Sequence, residues 1–336
     1  MKHLRNFVVM LAMAIGLTGL APVNAAEEPG QFTLTPQLPS NQNPKTSGYF
    51  DLLVKPGQTQ TLTVQLTNSS DQPGKFQVWA NPGLTSDNGA IDYSQRHRNA
   101  DAGAPLAFRQ IATLPQHVYT VGANSHVAIP LTLKLPNKQF RGRVLGALNV
   151  VQVGKGAATT TSGNTVIRNK VGYSLAVVLQ QSREPVAPQL TGGKARPKAV
   201  NHWPTIQLTF HNPAATIIPG LTLQTRVTRQ QKTYLKHTSS DYQVAPNSSF
   251  HLNLDLNGQP LRPGKYTVET TASSGKFFKR HFRSQFTVTR PQADAINRNT
   301  VVKASGPNYW MIAAIVAVIL TLVFAALWWR QRHTHH

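Results

Sequence analysis

Six basic side chains are the residues of this sequence whose type and spacing could do chemistry. Lys279, His281 and Arg283 alternate with an apolar set, Phe278, Phe282 and Phe286. Successive residues of a strand point to opposite faces, so the three cations would form a row with steps of about 7 Å. Lys194, Arg196 and Lys198 stand among glycines and a proline in Thr191–Val200, which reads as a basic loop. Its position relative to the row is open at this stage. The chemistry of such groups is non-covalent: they attract an anionic ligand, either a host polymer or wall teichoic acid. The competing reading is a solvated basic surface with no ligand.

Covalent chemistry has no visible machinery. The sequence contains no Gly-x-Ser-x-Gly elbow, no His-Glu-x-x-His and no P-loop. Its 12 acidic residues are scattered without a spacing that argues for a carboxylate pair, and cysteine is absent, which excludes disulfides and thiolate metal sites. Arg96-His97-Arg98 reads as a solvated loop, and His333, His335 and His336 as part of a basic tail rather than a metal site. The expectation is therefore a non-enzyme with no cofactor and no metal.

The elements that must position the basic groups follow from hydropathy. Tyr309–Trp329 carries no charge over 21 residues. At 1.5 Å per residue it extends about 31 Å, enough for a bilayer core. Tyr309, Trp310, Trp328 and Trp329 bracket it, as interfacial aromatics do, and Arg330 and Arg332 follow. At the other end, Lys2, His3 and Arg5 precede the apolar run Phe7–Leu20, and Val23-Asn24-Ala25 supplies small residues for cleavage. That is a secretory leader over 1–25. With the basic tail, 330–336, inside the cell, residues 26–308 face outward, anchored by one transmembrane helix over 309–329.

Between these ends the pattern has period two. Leu62, Val64 and Leu66 alternate with threonines and a glutamine. Val127, Ile129, Leu131, Leu133 and Leu135 do so again, as do Ile206, Leu208 and Phe210; Leu221, Leu223 and Val227; and Phe250, Leu252 and Leu254. Turn signals such as Lys55-Pro56-Gly57-Gln58 and Asp87-Asn88-Gly89 separate them. The predicted fold is all-β, with two tandem immunoglobulin-like β-sandwich domains plus the C-terminal helix. Gly154–Thr165 is small and polar and reads as a linker or a long exposed loop; the first domain is assigned to 26–155, the second to 156–290, and a polar stalk to 291–308. The whole chain is +22. Residues 26–155 hold 11 basic and 7 acidic side chains, +4, whereas 156–308 hold 19 and 5, +14. The export signals argue against nucleic acid as the target of that charge.

Several stretches resemble the WxL-interacting proteins. In the first half these are Tyr49-Phe50-Asp51-Leu52, Lys55-Pro56-Gly57-Gln58, Leu66-Thr67-Asn68, Thr85 through Ser94, and Phe140-Arg141-Gly142-Arg143-Val144-Leu145-Gly146. In the second they are Asn212 through Ile218, Tyr242 through Phe250, and Leu261-Arg262-Pro263-Gly264-Lys265-Tyr266. The sequence has Gly146-Ala147 where that family usually has two glycines. The resemblance implies a surface protein of Gram-positive bacteria. Its first domain would bind peptidoglycan, its second host surface or matrix proteins, and the whole would associate with secreted WxL-domain proteins of the wall. On that implication, Trp79 and Tyr93 are candidates for stacking on sugar faces, the alternative being that both are core aromatics. Two other function classes compete: an exported immunoglobulin-like chaperone or sensor acting on wall proteins, and a wall enzyme.

Overall fold

Leu62, Val64 and Leu66 are 0–1% exposed, with partly exposed polar residues between them, and Phe250, Leu252 and Leu254 keep the same rule, whereas Gln207 between Ile206 and Leu208 is itself buried. The computed structural model describes residues 32–154, 159–162, 165–168, 171–276, 278–301 and 309–333. The expected leader over 1–25 lies outside the described residues. The chain divides into two compact units. One comprises Met1–Thr191 with His211–Gly220 and Tyr242–Ser249; the other comprises Gly192–Phe210, Leu221–Asp241 and Phe250–His336.

In chain order the first half runs β1 (Phe32–Gln37), β2 (Phe50–Leu53), β3 (Thr59–Asn68), β4 (Gly74–Pro82), β5 (Leu84–Thr85), β6 (Ile91–Asp92), the helical turn α1 (Phe108–Ile111), β7 (Ala112–Thr113), β8 (Val118–Val121), β9 (Ser125–Lys134), β10 (Val144–Val153), β11 (Thr159–Ser162), β12 (Thr165–Arg168) and β13 (Gly172–Gln180). Two sheets form, β1-β3-β9-β7 and β2-β13-β10-β4-β8. Leu62, Val64, Ile129 and Leu131 of the first share one buried cluster with Phe76, Val78, Leu148 and Val177 of the second. That cluster lies between the sheets, as in a sandwich. At the Lys55-Pro56-Gly57 turn, Gly57 takes φ +72°, a conformation that glycine enters without steric cost.

The second half runs β14 (Thr191–Val200), β15 (Trp203–Asn212), β16 (Ile218–Arg229), β17 (Lys232–Val244), β18 (Ser248–Asp255), β19 (Gly264–Ser274), β20 (Phe278–Val288), α2 (Arg290–Arg298) and α3 (Tyr309–His333). A three-stranded sheet, β14-β15-β18, and a four-stranded sheet, β17-β16-β19-β20, make the second sandwich. Phe210 of β15 meets Phe282 of β20 edge-on with ring centroids 5.2 Å apart, joining the two sheets across the core.

The structure adds detail that the sequence reading lacks. The division at 155 and 156 put β13 in the second domain, but β13 pairs antiparallel with β10 and parallel with β2 in the first unit. The small polar stretch, read as a linker or a long loop, leads into an excursion, the β11–β12 hairpin, between neighbouring strands of one sheet. The basic loop over Thr191–Val200 is strand β14. Its inner face carries Gly193 and Ala195, both buried, so the small side chains hid the alternation. The stalk holds α2, announced by a capping box in which Thr289 and Gln292 bond each other's backbone N–H. α3 extends over 25 residues. Its side chains are described over 314–326, and among the described residues no helix is long and apolar enough to cross a membrane.

Candidate functional site

The row expected on β20 lies on the outward face of the four-stranded sheet. Phe278 is buried and Phe282 and Phe286 half-buried, with Phe286 stacked on Tyr266 of β19 at 5.2 Å; Lys279, His281 and Arg283 are exposed. The strand register extends the row into a grid. Ser273, Thr271 and Glu269 of β19 stand opposite Lys279, His281 and Arg283, and Gln224 and Arg226 of β16 stand opposite Thr271 and Glu269. One cross-strand line therefore reads Arg226–Glu269–Arg283, and the next reads Gln224–Thr271–His281.

The contacts within this grid are few. Arg283 Nε lies 3.7 Å from Glu269 Oε1, with both side chains more than half exposed, so the pair is weak. Nε and Nη2 of Arg226 donate to the Thr233 hydroxyl at 3.2 and 2.8 Å. His281 Nδ1 is 3.0 Å from the Thr271 hydroxyl. A concavity of about 600 Å³ opens here, lined by Arg226, Lys236, Glu269, His281 and Arg283 among others. A second, of about 890 Å³, continues toward Gln285 and shares Glu269 and Arg283.

Lys194, Arg196 and Lys198 are exposed on β14, in the three-stranded sheet. Polar side chains bond across that sheet: Arg196 Nη2 donates to Gln207 Oε1 at 3.0 Å, Gln207 Nε2 donates to Asn253 Oδ1 at 2.8 Å, and the Thr209 hydroxyl meets His251 Nδ1 at 3.1 Å. The two basic sets thus belong to different sheets, with β14 touching β20 where the Ala195 N–H donates to the Ser284 hydroxyl at 3.0 Å.

The aromatic candidates separate as well. On β4, Phe76 and Val78 enter the core, so Trp79 faces the other way, opposite Asn149 of β10. It is half-buried rather than a core residue, because the Arg96 guanidinium lies 4.3 Å from its ring centroid. Its Nε1 is buried and has no hydrogen-bond partner among the described residues. Arg96 is therefore not simply a solvated loop residue. Tyr93 is packed: a Cβ on Gly83 would come within 2.6 Å of its ring, and it joins a cluster with Leu145, Val178 and Ile91. Burial, together with the nearby Tyr49, pushes its phenol up to about 12. Beside it, burial would raise the Asp92 carboxyl, but the Ser94 and Gln95 donors and the charge of Arg98 hold it below the usual range. Arg109 ties this loop to β4, donating to Asn81 Oδ1 at 3.1 Å and to the Gln95 carbonyl at 3.2 Å.

Sequence reasoning missed Arg226, Glu269, Arg96 and Arg109. The alternation of β16 and β19 marks the first two as outward-facing; only the strand register shows that they line up with Arg283. Among the described residues no group of three His, Cys, Asp or Glu side chains could hold a metal ion.

Residues 32–152 match the family model of the WxL Interacting Protein peptidoglycan binding domain, and residues 162–298 match that of the WxL Interacting Protein host binding domain. The chain belongs to the WxL-interacting protein family. In this family member the matches change over between 152 and 162, whereas the first compact unit keeps β13 and runs to Thr191. Both matches are binding domains by description. No curated protein is similar enough to count as a relative. Solved structures with partial likeness include the YadV chaperone (11% identity, 76% of this chain and 100% of that one, TM-score 0.30). The CupB2 chaperone of Pseudomonas aeruginosa reaches 13%, 69%, 95% and 0.27 in the same order, and the CsuC–CsuE complex of Acinetobacter baumannii reaches 12%, 69%, 93% and 0.32. Likeness at these scores establishes no shared fold.

Proposed function

We propose that this WxL-interacting protein is a membrane-anchored surface scaffold of a Gram-positive bacterium. Its first unit binds peptidoglycan, its second binds host surface or matrix components, and the whole associates with secreted WxL-domain proteins. Both sandwiches are of immunoglobulin type in this reading. The observation that carries it is the tandem family match, in order, over 32–152 and 162–298. The chain works by holding ligands rather than by turnover. On the first unit, the outward face of β4 with Trp79 is the sugar contact we assign, Arg96 moving off the ring when a sugar stacks there. Tyr93 supports that region by packing.

The anchor is Tyr309–Trp329. In support, residues 314–326 of α3 are apolar apart from Thr321, and Ile315, Val318 and Phe324 are 52%, 60% and 70% exposed. An all-round apolar helix is stable only when buried in protein or in lipid. Detergent should extract the full-length protein from protoplasts; release that required a muramidase and left a shortened C-terminus would mean covalent attachment to the wall instead. The binding function is tested by sedimenting residues 26–308 with purified, teichoic-acid-free peptidoglycan. Pelleting in low and moderate salt is expected, and recovery in the supernatant in both would overturn the reading.

A further inference from the structure

We propose that the outward face of the β17-β16-β19-β20 sheet binds a sulfated or carboxylated polysaccharide. This rests on the reading of the second unit as a host-binding module and names the ligand class its surface fits.

Spacing is the first argument. Neighbouring strands lie about 4.8 Å apart, so Arg226 and Arg283, on either side of β19, are separated by roughly 10 Å. Along β20 the steps from Lys279 to His281 to Arg283 are about 7 Å each. Charges this far apart, at about one Debye length, act as separate attachment points rather than as one pocket. A compact anion reaches one of them at a time. A chain bearing an anionic group on successive residues meets several at once.

Glu269 supplies the second argument. It sits between the two arginines, so a continuous line of anions laid across this row would be repelled at its centre. A sugar hydroxyl, by contrast, can donate to the carboxylate while sulfates or carboxylates on either side meet Arg226 and Arg283. Gln224 and Thr271, in the adjacent line, add amide and hydroxyl groups of the kind that bond sugars. The arrangement therefore favours a polymer in which anionic groups alternate with free hydroxyls.

The third argument concerns the class of partner. Among the described residues, none of the large exposed apolar side chains falls on β16, β17, β19 or β20. Protein interfaces usually bury aromatic or aliphatic anchors at their centre, and this face offers none. It offers instead two open concavities of about 600 and 890 Å³ that share Glu269 and Arg283. The surrounding half of the chain, 156–308, carries 19 basic against 5 acidic residues, so the long-range field also draws a polyanion.

The test compares two double substitutions with the same change in net charge in the 26–308 ectodomain, using a size-defined heparin oligosaccharide as probe. Arg226→Glu with Arg283→Glu should weaken binding at least tenfold at moderate salt. Lys194→Glu with Lys198→Glu, on the other sheet, should change it less than about threefold. Wild-type protein should prefer the heparin oligosaccharide to a linear polyphosphate of equal charge, which has no hydroxyl to offer Glu269, and Glu269→Gln should narrow that preference. Equal losses in the two double variants would reduce the effect to net charge and overturn the proposal, as would no loss in either. Equal or tighter binding of the polyphosphate would also overturn it, and equal or tighter binding of poly(glycerol phosphate) would identify a wall polymer as the ligand and do the same. Unchanged melting and unchanged pelleting with peptidoglycan by the Arg226/Arg283 variant show that fold and wall binding stand independently of this site.

Discussion

Gly146 shows how tightly a single residue is specified in the first unit. A Cβ built there would lie 2.2 Å from the Phe108 ring, and the neighbouring Ala147 is fully buried. The position that carries α1 against β10 thus needs glycine, whereas the next tolerates a methyl group. Gly146→Ala should lower stability by about 1–3 kcal/mol, the usual cost of overpacking, measured by denaturant unfolding. Tyr93 makes a second residue-scale prediction. Its phenol is pushed up to about 12 by burial, from about 10 in an unfolded chain. Below pH 10 both states keep the proton and the contribution is intact; from 10 to 12 only the unfolded chain ionises, so stability falls as pH rises. Tyr93→Phe should flatten that decline by up to about 1.4 kcal/mol per pH unit, one proton's worth. An identical alkaline profile would mean that the ring is solvated after all. Neither residue's role was legible in the sequence. Tyr93 is an aromatic among polar residues, equally suited to a sugar platform, and its packing against Gly83 and Leu145 shows only in the structure.

Among the elements, legibility followed the size of the alternating side chains. β3, β9, β15, β16 and β18 present leucine, valine, isoleucine or phenylalanine every second residue, and their buried faces were readable directly. β14 has the same alternation written in Gly193 and Ala195, which a hydropathy reading takes for a loop. The orientation of Lys279, His281 and Arg283 was readable because Phe278, Phe282 and Phe286 fix the opposite face. Their partners Arg226 and Glu269 were not, because register depends on long-range pairing that no local pattern encodes. β13 lies beyond the division at 155 and 156 yet pairs within the first unit. It sits between β2 and β10 and contributes Leu175, Val177 and Leu179 to the first core. A fragment of residues 26–155 lacks it and should show no cooperative thermal transition, whereas 26–308 should melt cooperatively. A cooperative melt of the short fragment would contradict the sheet order.

At the scale of the whole molecule, charge and apolar surface are unevenly distributed. The +4 of 26–155 and the +14 of 156–308 put the excess of basic side chains mainly in the second half, and Ile315, Val318 and Phe324 of α3 are exposed. The family matches put a wall-polymer binder and a host binder on the same chain. If both act, the protein is a bridge, and bridging can be measured in one experiment. Fluorescent heparin oligosaccharide is mixed with teichoic-acid-free peptidoglycan, with and without the 26–308 ectodomain, and sedimented. The glycan should enter the pellet only when the protein is present, and the Arg226→Glu, Arg283→Glu variant should pellet while leaving the glycan in solution. Protein that stays in the supernatant with its glycan, or a pellet that holds the protein and never the glycan, would contradict the account.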